Sequence, residues 1–226
     1  RTARRTPFVV PLLLVVGMVE FTYGAQTVQL VLYAGRELGF GAEGYGYLLA
    51  AAGVGGLASA LINGRLAAST RVSSIVFLTG ALFCATQLVY AASGSLAVAL
   101  VATLLGGVGF VACEVVAETA LARVVPGDVL GRVMGVVDAV AVGTMVCGAA
   151  LAPVVITWTS LTTSLVVLGV AAILVILLCL PALRGLDALA DREHQHRNLV
   201  ACPDGLDLVE VQVAAVLGIH PADGAD

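Results

Sequence analysis

A carboxylate in the middle of an apolar run is the first feature of this sequence with a chemical consequence. Glu20 stands in "FVVPLLLVVGMVEFTYG", with Tyr23 and Thr27 three and seven positions further on, on one face of a helix. At about 1.5 Å per residue from Phe8, Glu20 is roughly 18 Å along that helix. That is close to the middle of a hydrocarbon layer about 30 Å thick. A charge at this depth costs at least about 2.5–3.5 kcal/mol, and no Lys or Arg interrupts any of the long apolar runs to neutralise it. Three states answer the cost. The carboxyl carries a proton within the bundle; or it faces a wet cavity and bonds to neighbours such as Tyr23 and Thr27; or it meets a cation from a bound molecule or another polypeptide. Gly17 and Gly24 bracket Glu20 and Pro11 lies below it, so a bend in the helix is expected nearby.

Three further acids sit towards the ends of apolar runs. Glu118 is at a run's edge, Glu114 is one turn deeper on the same face, and Asp138 is about 8 Å in from the end of its helix. Arg65, Arg71, Arg123 and Arg132 fall at the same level. The expected arrangement is a cluster of ion pairs that latches helix ends together.

The elements that must position these groups are helices in a membrane. Of 226 residues, 60% are hydrophobic and 12% charged, and the mean hydropathy is +1.04. A soluble domain carries about twice that charged fraction. Six runs are long enough to cross a bilayer as helices: Phe8–Tyr33, Gly44–Ile62, Ser74–Ala92, Leu96–Glu118, Val133–Trp158 and Leu161–Leu183. The connections, from "AGRELGFGAE" to "TS", leave no room for a soluble domain between spans. The predicted fold is an all-α membrane protein of six transmembrane helices in two three-helix repeats.

Charge divides the chain and orients it. Residues 1–184 hold nine Arg against seven acids, and residues 185–226 hold two Arg against eight. The predicted domains are a transmembrane body, 1–184, and an acidic cytoplasmic tail, 185–226, opening with an amphipathic helix at "RGLDALADREHQHRNL". With the N-terminus inside, every Arg except Arg36 falls on the cytoplasmic side of the six crossings. The expectation is a multi-pass protein of the cell (inner or plasma) membrane with both termini cytoplasmic. Tyr33, Tyr45, Tyr47, Tyr90 and Trp158 fall at the opposite ends of the spans, where interfacial rings are expected.

Other chemistry finds no footing. The sequence has no Gly-x-x-x-x-Gly-Lys-Ser/Thr loop, no His-Glu-x-x-His and no Gly-x-Ser-x-Gly. No catalytic residue, cofactor or metal is therefore expected, and a membrane-embedded enzyme would need a reactive pair at one depth that the carboxylates near Arg do not supply. His194 and His196 read as a solvated helix, and the five cysteines as small hydrophobes with free thiols. Without basic patches interleaved with aromatics, nucleic acid is not an expected partner.

Two stripes of small residues complete the pattern: Ala52, Gly56, Ala60 and Gly64, and Gly131, Gly135, Ala139, Gly143 and Cys147, each at four-residue spacing. Such stripes let another helix approach closely, and their place as second helices of successive three-helix groups hints at an internal repeat. "GYGYLLAAAGVGGLASALINGRLAAS" resembles the eighth helix and following loop of the major facilitator superfamily. "ARVVPGDVLGRVMGVVDAVAVGTMVCGAALAPVV" is similar to the loop and eleventh helix of its bacterial drug and siderophore exporters. The resemblance covers residues 6–184 and the C-terminal six-helix half of a twelve-helix fold. Of the superfamily's Gly-x-x-x-Asp-Arg-x-Gly-Arg-Arg/Lys motif, "INGRLAASTR" keeps Gly64, Arg65 and Arg71 but no Asp.

The resemblance implies a secondary active transporter, in which protons drive efflux of small molecules by alternating access. On that basis Glu20, Tyr23 and Thr27 are the expected substrate or proton site, and Arg65, Glu114, Glu118, Arg132 and Asp138 the cytoplasmic gate. It also implies partners: the lipid bilayer, a small-molecule substrate, protons, and an N-terminal six-helix half or a second copy for the stripes to face. The rival expectation is a non-transporting half or membrane anchor.

Overall fold

The computed structural model describes residues 9–67, 69, 71–125 and 127–200. Expectations for Arg1, Arg4 and Arg5, and for the tail beyond residue 200, lie outside them. The described residues form six α-helices and no strand: α1 Val9–Arg36, α2 Gly41–Ala67, α3 Val72–Ala92, α4 Leu96–Val124, α5 Gly127–Trp158 and α6 Leu161–Val200. All six contain an apolar stretch long enough to cross a membrane. Most helices outrun the apolar runs that predicted them, because intrahelical hydrogen bonding continues after hydropathy drops. The connection between α1 and α2 shortens to a turn whose Gly39 and Gly41 adopt φ of 72° and 55°, a region open to glycine. The expected amphipathic helix of the tail falls within the bounds of α6. By its contacts the chain divides into two units, Arg1–Asp187 and Ala188–Asp226.

The first unit is held by two helix pairs, α1 with α5 and α2 with α4, and by α3 packed along α4. Lipid gives helices no hydrophobic reason to associate, so they must come close enough for dense backbone packing. Four glycines permit this. A Cβ on Gly24 would collide with the carbonyl oxygen of Met145, and one on Gly148 with that of Phe21. Likewise a Cβ on Gly107 would collide with the carbonyl of Ala52, and one on Gly55 with that of Leu104. The two contacts repeat in register: Gly24 and Phe21 each lie 83 positions before Gly107 and Leu104, while Ala52 and Gly55 each lie 93 positions before Met145 and Gly148. Exchanging α1–α3 with α4–α6 turns one contact into the other. The repeat that the small-residue stripes hinted at is therefore written in the backbone contacts.

Of the stripe residues only Ala52 stands at one of these backbone contacts. Gly55 and Gly148 each stand one position away from the stripes, whereas a Cβ on Gly64, Gly131, Gly135 or Gly143 meets nothing within 4 Å. The α5 stripe from Gly131 to Cys147 is exposed throughout, and so are Ala60 and Gly64 of α2. Around Glu20 the helix is not interrupted. α1 is one α-helix throughout, Pro11 lies in its first turn where its missing N–H costs nothing, and Gly17 and Gly24 both face α5.

α6 attaches differently, through side chains. The Gln87 amide nitrogen donates to Gln29 Oε1 at 3.0 Å, and Gln29 Nε2 donates to Ser164 Oγ at 2.9 Å, joining α3, α1 and α6. All three residues are fully buried. Two rings expected at the membrane interface are buried as well. Tyr33 and Tyr90 are 1% and 2% exposed, with ring centroids 5.5 Å apart, and the Tyr33 hydroxyl donates to the Ser93 carbonyl. Trp158 does lie on the surface, at 86% exposure.

Two predictions follow from this packing. Gly24→Val or Gly107→Val should cost about 1–3 kcal/mol through forced separation of a helix pair, seen as a lower melting temperature in detergent. Gly135→Val, facing open space, should melt like the wild type. Gln29→Leu should cost about 1 kcal/mol, and adding Gln87→Leu should restore part of the loss by removing the stranded amide.

Candidate functional site

A cavity of about 410 Å³ lies between α1, α2 and α4, closed on one side by Phe83 of α3. Its wall owes its shape to the α2–α4 contact. Ala52, Gly53, Gly56, Gly106 and Gly107 carry little or no side chain where they meet it, so the approach that joins the helices also leaves space beside them. Aromatic rings fill the opposite side. Tyr23 stacks on Phe110 with centroids 4.6 Å apart and planes at 22°, and Phe83 leans on Phe110 at 5.3 Å. Tyr45 reaches the cavity from α2.

Besides the hydroxyls of Tyr23 and Tyr45, the polar groups of the wall are Gln26, Thr27 and Thr103. The Thr27 hydroxyl donates to the Gly24 carbonyl in its own helix at 2.5 Å. Gln26 Nε2 lies 3.2 Å from the Tyr90 hydroxyl, which lies 2.9 Å from Thr103 Oγ1, and Thr103 Oγ1 donates to the Ala99 carbonyl at 2.7 Å. The direction of this chain follows by counting protons. Thr103 spends its only hydroxyl proton on Ala99, so Tyr90 donates to Thr103, and the Gln26 amide donates to Tyr90. No charged residue belongs to the wall.

The predicted site residues separate at this point. Tyr23 and Thr27 line the cavity, whereas Glu20 does not. Glu20 is buried, 8% exposed, one helical turn from Tyr23. Successive spans alternate in direction, so α4 runs antiparallel to α1, and the pairing of Tyr23 with Phe110 carries Glu20 towards Glu114. Glu20 is within electrostatic reach of Glu114 and Glu118, and Glu114 of Glu118 and Asp138. These influences link acids of α1, α4 and α5. The expected latch of ion pairs is not formed: among the described residues none of Arg65, Glu114, Glu118, Arg132 and Asp138 makes an ion pair. Both arginines, Glu118 and Asp138 are exposed, and Glu114 is half-buried. Among the described residues no group of three His, Cys, Asp or Glu is arranged to hold a metal ion.

Sequence reasoning missed Gln26, Phe83, Thr103 and Phe110. A signal for Gln26 was present, since an amide inside a membrane span needs a partner as a carboxylate does. The rings and Thr103 had no such mark in their apolar runs.

The comparison that bears on this arrangement is one of family. The model of the Major Facilitator Superfamily matches residues 12–210, which takes in all six spans. The chain belongs to the Major Facilitator Superfamily. No curated protein and no solved structure matches it. As a superfamily member with six candidate spans, it is a multi-pass transport protein of a lipid bilayer, and its substrates are small molecules.

Filling the aromatic cavity should separate binding from folding. Gly53 borders the cavity, and a Cβ there meets nothing within 4 Å. Gly53→Phe should therefore keep the wild-type melting temperature while weakening binding of the fluorescent probe N-phenyl-1-naphthylamine about ten-fold or more, read by titration in lipid nanodiscs.

Proposed function

We propose that this chain is the C-terminal half of a proton-coupled exporter of small molecules, in the manner of the superfamily's bacterial drug and siderophore exporters. The observation that carries the reading is the joint position of the cavity and Glu20. The cavity takes the substrate against Tyr23 and Thr27, and Glu20, one turn away on the same helix, takes the proton. A carboxyl this deep is expensive as an anion, so its protonation and the filling of the cavity are two ways of changing the same neighbourhood. Proximity of the two lets one event bias the other, which is what coupling requires.

The acids Glu114, Glu118 and Asp138, with Arg65 and Arg132, serve as the cytoplasmic gate. Their unpaired arrangement suits a state in which the gate is released, and re-pairing would latch the helix ends in the other state. The exposed small-residue faces of α2 and α5 favour a chain that works against a second six-helix body, either an N-terminal half or a second copy. In this reading the protein resides in the cell membrane with both termini cytoplasmic, residues 1–184 form the transport body and residues 185–226 an acidic cytoplasmic tail. The same exposed faces support the rival reading of a half that is inert until it is paired.

Reconstituting the full chain into vesicles with a pH gradient tests the proposal. Transport of drug-like fluorescent dyes should follow the gradient in the wild type and be lost in Glu20→Gln at equal membrane content. Wild-type transport with an unchanged pH profile in that variant would overturn the role of Glu20. Activity that appears only on co-expression with a second six-helix half would identify that half as the second body, and no transport in either case would favour the rival of a non-transporting half or anchor.

A further inference from the structure

The Gln26 side chain carries more information than membership of the cavity wall. It is 5% exposed, and its carbonyl oxygen Oε1 has no hydrogen-bond partner. The proton count above fixes which end of the amide is left over. The nitrogen is engaged by Tyr90, whose own proton is engaged by Thr103, whose proton is engaged by Ala99. Reversing the amide would give up the Thr103–Ala99 bond, leaving two hydrogen bonds instead of three and an unpaired NH2 group. The spare group at this wall is therefore an acceptor.

A buried acceptor without a donor costs about 1–3 kcal/mol, and Gln26 borders the cavity that Tyr23 and Phe110 also line. Oε1 itself is covered in this structure, but Gln26 lines the cavity and the last torsion of a Gln side chain is broad, so its turn is the movement by which Oε1 would meet a bound molecule. The hydroxyls of Tyr23 and Tyr45 can donate or accept and do not discriminate. The Gln26 carbonyl can only accept.

We infer that the cavity selects flat, largely apolar molecules that carry an N–H or O–H donor, and that Gln26 is the residue that reads the donor. The Tyr23 and Phe110 rings take the apolar face of such a molecule, and its donor completes the Gln26–Tyr90–Thr103 chain. A molecule of equal shape without a donor leaves Oε1 unpaired and binds more weakly. This inference rests on the cavity being the substrate site, but not on proton coupling or on the direction of transport.

The test uses 2-naphthol and its methyl ether, 2-methoxynaphthalene, which differ in one donor. Binding of each to the full chain in nanodiscs is measured by fluorescence, with empty nanodiscs as the partition control. 2-Naphthol should bind the wild type about ten-fold more tightly than the ether. Gln26→Leu should reduce that ratio to near one by weakening naphthol alone. Tyr90→Phe, which frees the amide to turn without touching the cavity wall, should also lower the ratio and leave the ether unchanged. Equal binding of the two probes to the wild type, no binding of either, or a ratio that survives both substitutions would overturn the inference. Donor discrimination in a chain that shows no proton-driven export would instead count against the proposed function alone.

Discussion

Backbone approach at four glycines is the constraint on which the rest of this bundle depends. In hydrocarbon, helices gain nothing from hiding apolar surface, so cohesion must come from packing and from polar groups that find partners. Gly24 against Met145 and Gly148 against Phe21 bring α1 and α5 into backbone contact; Gly107 against Ala52 and Gly55 against Leu104 do the same for α4 and α2. The two crossings obey one internal symmetry, which relates α1 and α2 to α4 and α5. α6, which lacks an equivalent close crossing, is tied instead through Gln29, Gln87 and Ser164.

The cavity is a by-product of the same economy. Residues small enough to let α2 and α4 touch cannot also fill the space on their other side, and Tyr23, Phe83 and Phe110 line it without occupying it. Its polar character is then set by a few atoms. Proton counting along Gln26, Tyr90, Thr103 and Ala99 leaves an acceptor rather than a donor, a consequence of where one threonine sits relative to its own helix carbonyl. Glu20 lies outside this wall, close to Glu114. Glu20 is thereby separated from the cavity wall, while sharing a helix with it.

Much of this was legible in the sequence, and the reasons are local. Six apolar runs of membrane-spanning length dictate six helices, since only a helix satisfies its own backbone in lipid. Turns follow from glycine, as at Gly39 and Gly41, and the polar residues Glu20, Tyr23 and Thr27 announce themselves by being out of place. The small-residue stripes announced a repeat but, Ala52 apart, missed the contact positions, because four-residue spacing describes a face and does not say which neighbour will meet it. The tyrosines misled for a related reason. Tyr33 and Tyr90 stand at span ends, where interfacial rings belong, yet each turns inward to a partner on another helix.

The sequence by itself determined the medium, the number of crossings and the rarity of the polar groups, since these depend on hydropathy summed along one chain. Only the tertiary structure decided which helices touch, that Glu20 lies within electrostatic reach of Glu114 and Glu118, and that Gln26 and Tyr23 share the wall of one aromatic cavity. Those outcomes depend on distances between residues far apart in the chain: 26 from 90, 24 from 145, 55 from 104. No periodicity within a single helix encodes them, because a helix specifies its faces and leaves the identity of what each face meets to the packing of the whole.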